Sequence, residues 1–335
     1  MSLKKLFITG GAGYCGSLLV PKLLKKGYKV TVYDTMFFDN DHLPQDNKNL
    51  SVIRGDIRDT TLLKKTSAGH DVFISLACIS NDASFALNEN LSTSINMDAF
   101  EPMVLAAKQN KIKRFIYASS SSVYGVSEKP NVTEEHPLVP LTLYNKYKGL
   151  CEPILFKYTD ENFVGVIFRP ATVCGYAPRL RLDLSVNILT NHAIQNDKIT
   201  VFGGSQLRPN LHVNDYCETV ELLIEAPKHK IQDQIFNVGY ENLSIMDIAK
   251  IVKKVVEHEF PDKKNVEIET TVSDDLRSYH INSDKIKKVL NFSPKLSVEH
   301  AIRDLCSAHK QGLFSDSSDN DIYYNVKRLK RLGIQ

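Results

Sequence analysis

The sequence predicts an α/β fold: a doubly wound parallel sheet followed by a smaller mixed α/β lobe toward the C-terminus. Three observations carry this. Short apolar runs with strand character alternate with helical stretches through the first half. A glycine triplet sits at the first strand-to-helix turn. The regular alternation weakens after Gly175, and a chain of 335 residues is longer than one compact core needs.

Each element follows from its own pattern. Residues 6–9 read as the first strand, followed by a helix-compatible segment through residue 26. Residues 30–33, 50–53 and 72–76 are the next strands, then a long helix is expected over 92–109 and a strand over 114–118. Strand, helix, strand at this spacing implies βαβ units with helices on both sheet faces. Residues 163–168 and 235–238 read as further strands, and 243–258 and 284–290 as helices. The chain is expected to cross back to the main sheet between about 199 and 238. Pro153, inside an expected helix, predicts a kink or an early end there.

Composition narrows the class. With 42% hydrophobic and 24% charged residues the chain reads as an ordinary globular protein, and a net charge of +3 argues against a nucleic-acid partner. The first apolar run is short and breaks into glycines, so it reads as a strand and not an export signal. No stretch approaches the roughly 18 apolar residues of a membrane span. Six cysteines (Cys15, Cys78, Cys151, Cys174, Cys217, Cys306) form no C-x-x-C pair and sit mostly among apolar neighbours. They read as reduced thiols of a cytoplasmic protein, with neither disulfides nor a metal site expected. The tail turns polar at 315–321, and the basic run at 327–331 reads as a solvated terminal helix, a partner or membrane contact being the alternative.

Glycines at 10, 13 and 16, directly after a strand and opening a helix, have the spacing of a Rossmann dinucleotide turn. Gly10 allows the tight turn, Gly13 lets backbone approach a pyrophosphate, and Gly16 lets the helix pack close to the sheet. Tyr14 and Cys15 lie between the last two glycines, where the helix N-terminus offers unpaired N–H groups to phosphate. Asp34 ends the second strand, about 20 residues on, where a carboxylate accepts both ribose hydroxyls of an adenosine. No arginine or lysine follows it immediately to welcome a 2′-phosphate, so NAD is expected rather than NADP. Asp56, next to Ile57 after the third strand, suits either the adenine or the cap of the next helix, and the sequence leaves both open.

Tyr144 and Lys148 are four apart in an expected helix and so share a face. A phenol with a pKa near ~10 is a poor base at neutral pH, and an ammonium close by favours the phenolate. Alone, this spacing is common on helix surfaces. The four serines at 119–122 change its meaning, because they end a strand at the carboxyl edge of the sheet, where open α/β folds bind ligands. A hydroxyl there can hold the reacting oxygen of a substrate.

Together, the glycine triplet, the serine-rich strand end followed by Val123-Tyr-Gly125, and the Tyr-x-x-x-Lys helix resemble a known family. It is the extended short-chain dehydrogenase/reductases, specifically the NAD-dependent nucleotide-sugar epimerase/dehydratase family, and the likeness runs to about residue 310. Residues 1–176 then form the NAD-binding Rossmann domain, with a return to it at about 199–240, and 177–335 a mainly substrate-binding lobe. The resemblance puts the catalytic hydroxyl on Ser120, with Tyr144 as acid/base and Lys148 as its partner and a ligand of the nicotinamide ribose. Leu76-Ala77-Cys78 resembles the segment lining the cofactor's diphosphate and ribose, and Pro170 joins the expected cofactor contacts. Asn96 resembles the asparagine that supports the catalytic lysine through water. Arg208, ahead of His212-Val-Asn-Asp215, and Arg277, in Asp275-Leu-Arg-Ser-Tyr279, match arginines that grip a sugar nucleotide; each alone reads equally as a surface ion pair. The implied partners are a nucleoside-diphosphate sugar and a second copy of the chain. That homodimer would form through the 92–109 and Tyr144 helices, where Phe100, Met103, Leu150, Ile154 and Leu155 suit either the contact or the core.

Departures from the family pattern bear on the reaction. The family's dehydratases carry an Asp-Glu pair right after the catalytic hydroxyl; Ser121 and Ser122 stand there, which argues against 4,6-dehydration and leaves Ser121 as a candidate substrate contact. Thr172 replaces the asparagine that many relatives place after the arginine-containing strand. The stretch from Pro178 to Asn187 resembles a sub-branch that includes enzymes oxidising C4 of a GDP-linked heptose. Thr172, Arg179, Arg181 and Asn187 are therefore candidate substrate contacts. The expected reaction is C4 epimerisation through transient oxidation. A net 4-dehydrogenase or 4-ketosugar reductase on the same residues is the alternative, and the intact triad argues against a scaffold without chemistry.

Overall fold

The computed structural model describes residues 4–127, 131–272, 278, 280–314, 317 and 320–334. Six strands in succession, β1 (Lys5–Thr9), β2 (Lys29–Asp34), β3 (Leu50–Arg54), β4 (Val72–Ser75), β5 (Arg114–Ala118) and β6 (Val164–Pro170), enter one sheet. The chain then leaves through β7 (Thr172–Cys174), β8 (Lys198–Phe202) and β9 (Leu207–His212), and returns with β10 (Gln234–Val238) beside β6. The order is β10-β6-β5-β4-β1-β2-β3, and all pairings are parallel. Strand direction of growth reverses between β1 and β4, so a crevice opens at their carboxyl ends. This is the Rossmann-type sheet that the glycine turn and strand spacing predict.

Helices cover both faces. On one side α1 (Tyr14–Lys25) packs with Leu19 and Leu23 against Leu6, Ile8 and Val32. On the other lie α2 (Thr60–Ser67), α3 (Phe100–Gln109) and α4 (Leu143–Lys157), over Phe7, Phe73, Phe115 and Ile167. Phe73 and Phe115 stack with ring centroids 4.8 Å apart. Apolar side chains thus fill both faces, which is why β6 is buried at every position.

The smaller lobe is built on α5 (Ser185–Asn196), β8, β9, β11 (Glu241–Ser244), α7 (Ile245–Glu259), β12 (Glu267–Thr271) and α8 (Val298–Lys310), while α6 (Val213–Glu225) packs on α1. β11 runs antiparallel to β9, and β12 parallel to β8. Val186, Ile194, Val252 and Ile302 form its core. A last helix, α9 (Asn325–Arg331), ends the chain.

Four expectations are corrected. The helix over 92–109 is interrupted by a π-turn at Ser94–Asp98 before α3 begins. Pro102 has no N–H to donate to the Asp98 carbonyl, and the Ala99 N–H reaches back five residues to Ser94. Pro153 does not end its helix, which runs on to Lys157; it lies on the exposed side while Cys151, Glu152 and Leu155 anchor the buried one. Residues 243–244 are strand, because the Ser244 hydroxyl caps α7 by accepting from the Asp247 N–H. The basic terminal run is not a solvated helix: Leu329 of α9 is 2% exposed and joins the core of the main sheet. Of the five positions offered for a dimer contact, Phe100, Met103 and Leu155 are core residues, leaving Leu150 exposed and Ile154 half-buried on α4.

Candidate active site

A groove enclosing about 870 Å³ opens over the carboxyl ends of the strands and runs from the glycine turn into the smaller lobe. Its cofactor half is shaped by glycine. Gly10 has φ +76°, and a Cβ there would sit 2.6 Å from the Ala77 nitrogen; one on Gly16 would sit 2.4 Å from the Gly11 oxygen. Gly13, Tyr14 and Cys15 line the groove, and no side chain caps α1, which leaves its first N–H groups for a phosphate. Tyr14 itself turns away to donate to the Gly175 carbonyl at 2.5 Å. Asp34 accepts from the Ala12 N–H and the Met36 N–H, both at 3.0 Å, and burial raises its pKa above the usual carboxylate range. These residues fit an adenine dinucleotide.

Asp56 and Ile57 also line this half. Asp56 is gripped by Arg58 at 2.6 Å, and Asp59, not Asp56, caps α2 by accepting from the Leu62 N–H. Leu76, Ala77, Cys78 and Pro170 lie along the middle of the groove. Asn96 does not. Its amide accepts from the Ile79 N–H at 2.8 Å and donates to the Ile79 carbonyl at 2.9 Å, which fixes the loop after β4.

On the opposite wall stand Ser120, Ser121, Tyr144 and Lys148, all lining the groove. Thr142 caps α4 and so sets the first turn that carries Tyr144. Lys148 is buried; its Nζ donates to the Ala118 carbonyl at 2.8 Å and sits 5.1 Å from the Tyr117 ring centroid. Ser120 Oγ lies 2.7 Å from Ser122 Oγ, which in turn donates to Asn145 Oδ1 at 2.5 Å. Ser122 therefore ties the strand end to α4.

Beneath this wall lies a network that sequence reasoning missed. Ser119 donates to Glu152 at 2.6 Å, and Glu152 holds Arg169 through two bonds of 2.9 and 2.6 Å. Arg169 also donates to the Tyr124 hydroxyl at 2.6 Å, which donates to Asn237 at 2.7 Å. The signal available was Glu152 four residues after Lys148 on the same helix face.

The expected substrate contacts divide. Thr172 and Arg208 line the far half of the groove. Arg277 lies outside the described residues. Asn187 is fully buried and absent from the groove wall: it accepts from the Gly175 N–H at 2.9 Å and donates to the Arg181 carbonyl at 2.8 Å and the Tyr14 hydroxyl at 3.2 Å. It is a brace between α5 and the preceding loop, not a substrate contact. Arg181 lines the groove with its fork closed on Asp183 at 2.9 and 3.1 Å. Arg179 lines it beside α1, where its N–H donates to Ser17 Oγ at 3.1 Å.

A family model for the NAD dependent epimerase/dehydratase family matches residues 6–239. The chain belongs to this family. Among curated relatives of this epimerase/dehydratase, a UDP-glucose 4-epimerase from Lactobacillus helveticus is 26% identical, over 87% of this chain and 92% of that protein. A dTDP-glucose 4,6-dehydratase from Streptomyces niveus is 25% identical, over 88% and 89%. The solved UDP-glucose 4-epimerase of Thermotoga maritima with UDP-glucose superposes with a TM-score of 0.81 at 23% identity, covering 92% of this chain and 100% of that one. The family is NAD-dependent, in agreement with the glycine cradle and Asp34. Among the described residues no helix is long and apolar enough to cross a membrane.

Proposed function

We propose that this enzyme of the epimerase/dehydratase family is a nucleotide-sugar 4-epimerase. The reading rests on Tyr144, Lys148 and Ser120 facing the same groove as the dinucleotide cradle, with hydroxyls where a dehydratase would carry carboxylates. Tyr144 as phenolate takes the proton from the sugar C4 hydroxyl. The Lys148 ammonium favours that phenolate and is held for the task by the Ala118 carbonyl. Ser120 donates a hydrogen bond to the reacting oxygen. NAD+ held at the glycine turn and Asp34 would supply the acceptor for the C4 hydride and its donor on the return. Arg208 grips the diphosphate of the sugar nucleotide in the far half of the groove.

The proton then returns from Tyr144 to the C4 oxygen after the sugar has presented its other face. Ser122 supports this reading against dehydration: removing water across C5 and C6 needs an acid and a base beside the catalytic hydroxyl. Here Ser122 is tied to Asn145 instead. A net C4 oxidoreductase would use the same first step. The resemblance of the Pro178–Asn187 stretch to a C4-oxidising branch favours it as the second reading.

The test is a panel of UDP-, GDP-, dTDP- and CDP-sugars, with products read by NMR and NADH followed by absorbance. A C4 epimer without lasting NADH is the expected result; stoichiometric NADH with a 4-keto product would move the enzyme to the second reading. Tyr144→Phe is expected to lower turnover by about 10² or more. Near-normal turnover in that variant would overturn the role of Tyr144.

A further inference from the structure

We propose that the C-terminal helix α9 is part of the cofactor site, with Asn325 holding the Arg179 guanidinium for the diphosphate of NAD so that the segment clasps the cofactor. This does not depend on whether the net reaction is epimerisation.

The argument starts from Arg179, which is 4% exposed and lines the groove beside the uncapped N-terminus of α1. Its Nη2 donates to Asn325 Oδ1 at 2.6 Å, and its planar group lies 3.7 Å over the Phe38 ring. Its Nε is buried and has no hydrogen-bond partner among the described residues. Arg169 is bonded to Glu152 and Arg181 to Asp183, whereas Arg179 has no carboxylate bonded to it among the described residues. Asp183 and Asp34 act on it only through space, and a buried guanidinium with an unbonded N–H is costly. Burial, with the like charge of Arg181 nearby, outweighs the pull of those two carboxylates and pushes its pKa down to about 9. The ligand that removes the cost is an anion with several acceptor oxygens, and the neighbouring helix N-terminus asks for the same chemistry. A dinucleotide brings one such group to this half of the groove, its diphosphate.

Asn325 sets the guanidinium in place through a three-way latch. It accepts from Arg179, donates through Nδ2 to Ser80 Oγ at 2.9 Å, and donates its N–H to Asp183 Oδ2 at 3.1 Å. The rest of α9 is pinned to the loop after β2, next to Asp34. Arg328 donates through Nε to the Phe37 carbonyl at 2.6 Å and through Nη2 to Asp39 at 3.0 Å. Leu329 lines the groove with Asn325. The segment therefore bridges the loops after β2 and β4, the two that flank a dinucleotide in this sheet.

The test measures NAD binding, not turnover. Full-length protein stripped of nucleotide is titrated with NAD by calorimetry, as wild type, Asn325→Ala, Arg179→Ala and the double variant. Each single change is expected to weaken NAD about tenfold or more, as for loss of a charged hydrogen bond. The double variant should bind no more weakly than Arg179→Ala, because Asn325 acts through Arg179. Asn325→Ala binding within twofold of wild type, or losses that multiply in the double variant, would overturn the proposal. Should Arg179→Ala not fold, Arg328→Ala decides: it frees the strap from Phe37 and Asp39 and should speed release of NAD severalfold. An unchanged release rate there would overturn the clasp.

Discussion

Arg169 and Arg179 are equally buried, yet they sit in regions built on opposite electrostatic terms. Under the catalytic wall, Arg169 meets Glu152 through two bonds, and the carboxylate outweighs burial and raises the arginine's pKa. On the cofactor side, Arg179 meets Asn325 and an aromatic ring, and burial lowers its pKa. The first region is complete in the folded chain, and it holds Ser119 and Tyr124 on either side of the serines that line the groove. The second holds Arg179 through a neutral amide and leaves its Nε without a partner among the described residues, with Asp34 and Asp183 acting on it only through space. The proposed reaction calls for rigidity in the first region, and the proposed clasp for open donors in the second.

The largest expected effect comes from breaking the complete region. Glu152→Ala leaves Arg169 buried without its partner, which costs about 3–5 kcal/mol of stability. Urea unfolding measures this. A loss under about 1 kcal/mol, the range of surface pairs, would mean that the pair is not the keystone of this wall.

The two regions also differ in how legible they were. Gly10, Gly13, Gly16 and Asp34, and Tyr144 with Lys148, are close in sequence or fixed to one turn or helix, so their spacing states their geometry. The sheet was legible for the same reason, since its strands are short apolar runs at regular intervals. Glu152 and Arg169 are 17 residues apart on a helix and a strand, and Arg179 and Asn325 are 146 apart. No local period encodes such pairs. Asn187 misled because an asparagine in a conspicuous motif serves a buried brace as readily as a ligand. The basic run of α9 misled because its charged residues mask Leu329 and Arg328, which dock it.

A smaller effect, of opposite sign to that at Glu152, is expected at Arg179. Arg179→Met removes a buried charge to which no carboxylate is bonded among the described residues, so nucleotide-free stability should stay within about 1 kcal/mol of wild type or rise above it. NAD affinity should fall in the same variant. Urea unfolding without nucleotide provides the check. A loss as large as that of Glu152→Ala would show that Arg179 is as integrated as Arg169, and the contrast between the regions would fail.

The smallest effect sharpens the contrast through pH. Asp34 shares the condition of Arg179: it is buried, and its only described hydrogen bonds come from backbone N–H groups. Burial raises its folded pKa above the unfolded value, so the folded protein holds the proton longer. The Asp34 contribution to nucleotide-free stability is therefore fully present below its unfolded pKa and is lost as pH rises through the raised value, which is read as the difference between wild type and Asp34→Asn at each pH. Bound adenosine ribose donates hydroxyls to the ionised carboxylate, so NAD affinity should move the other way and strengthen across the same window. Asp34→Asn should flatten both slopes while keeping an oxygen to accept from Ala12 or Met36. Unfolding and NAD titrations at pH 4 to 7 would show it. Slopes that survive the substitution would assign the unmet charge of this region to Arg179 alone.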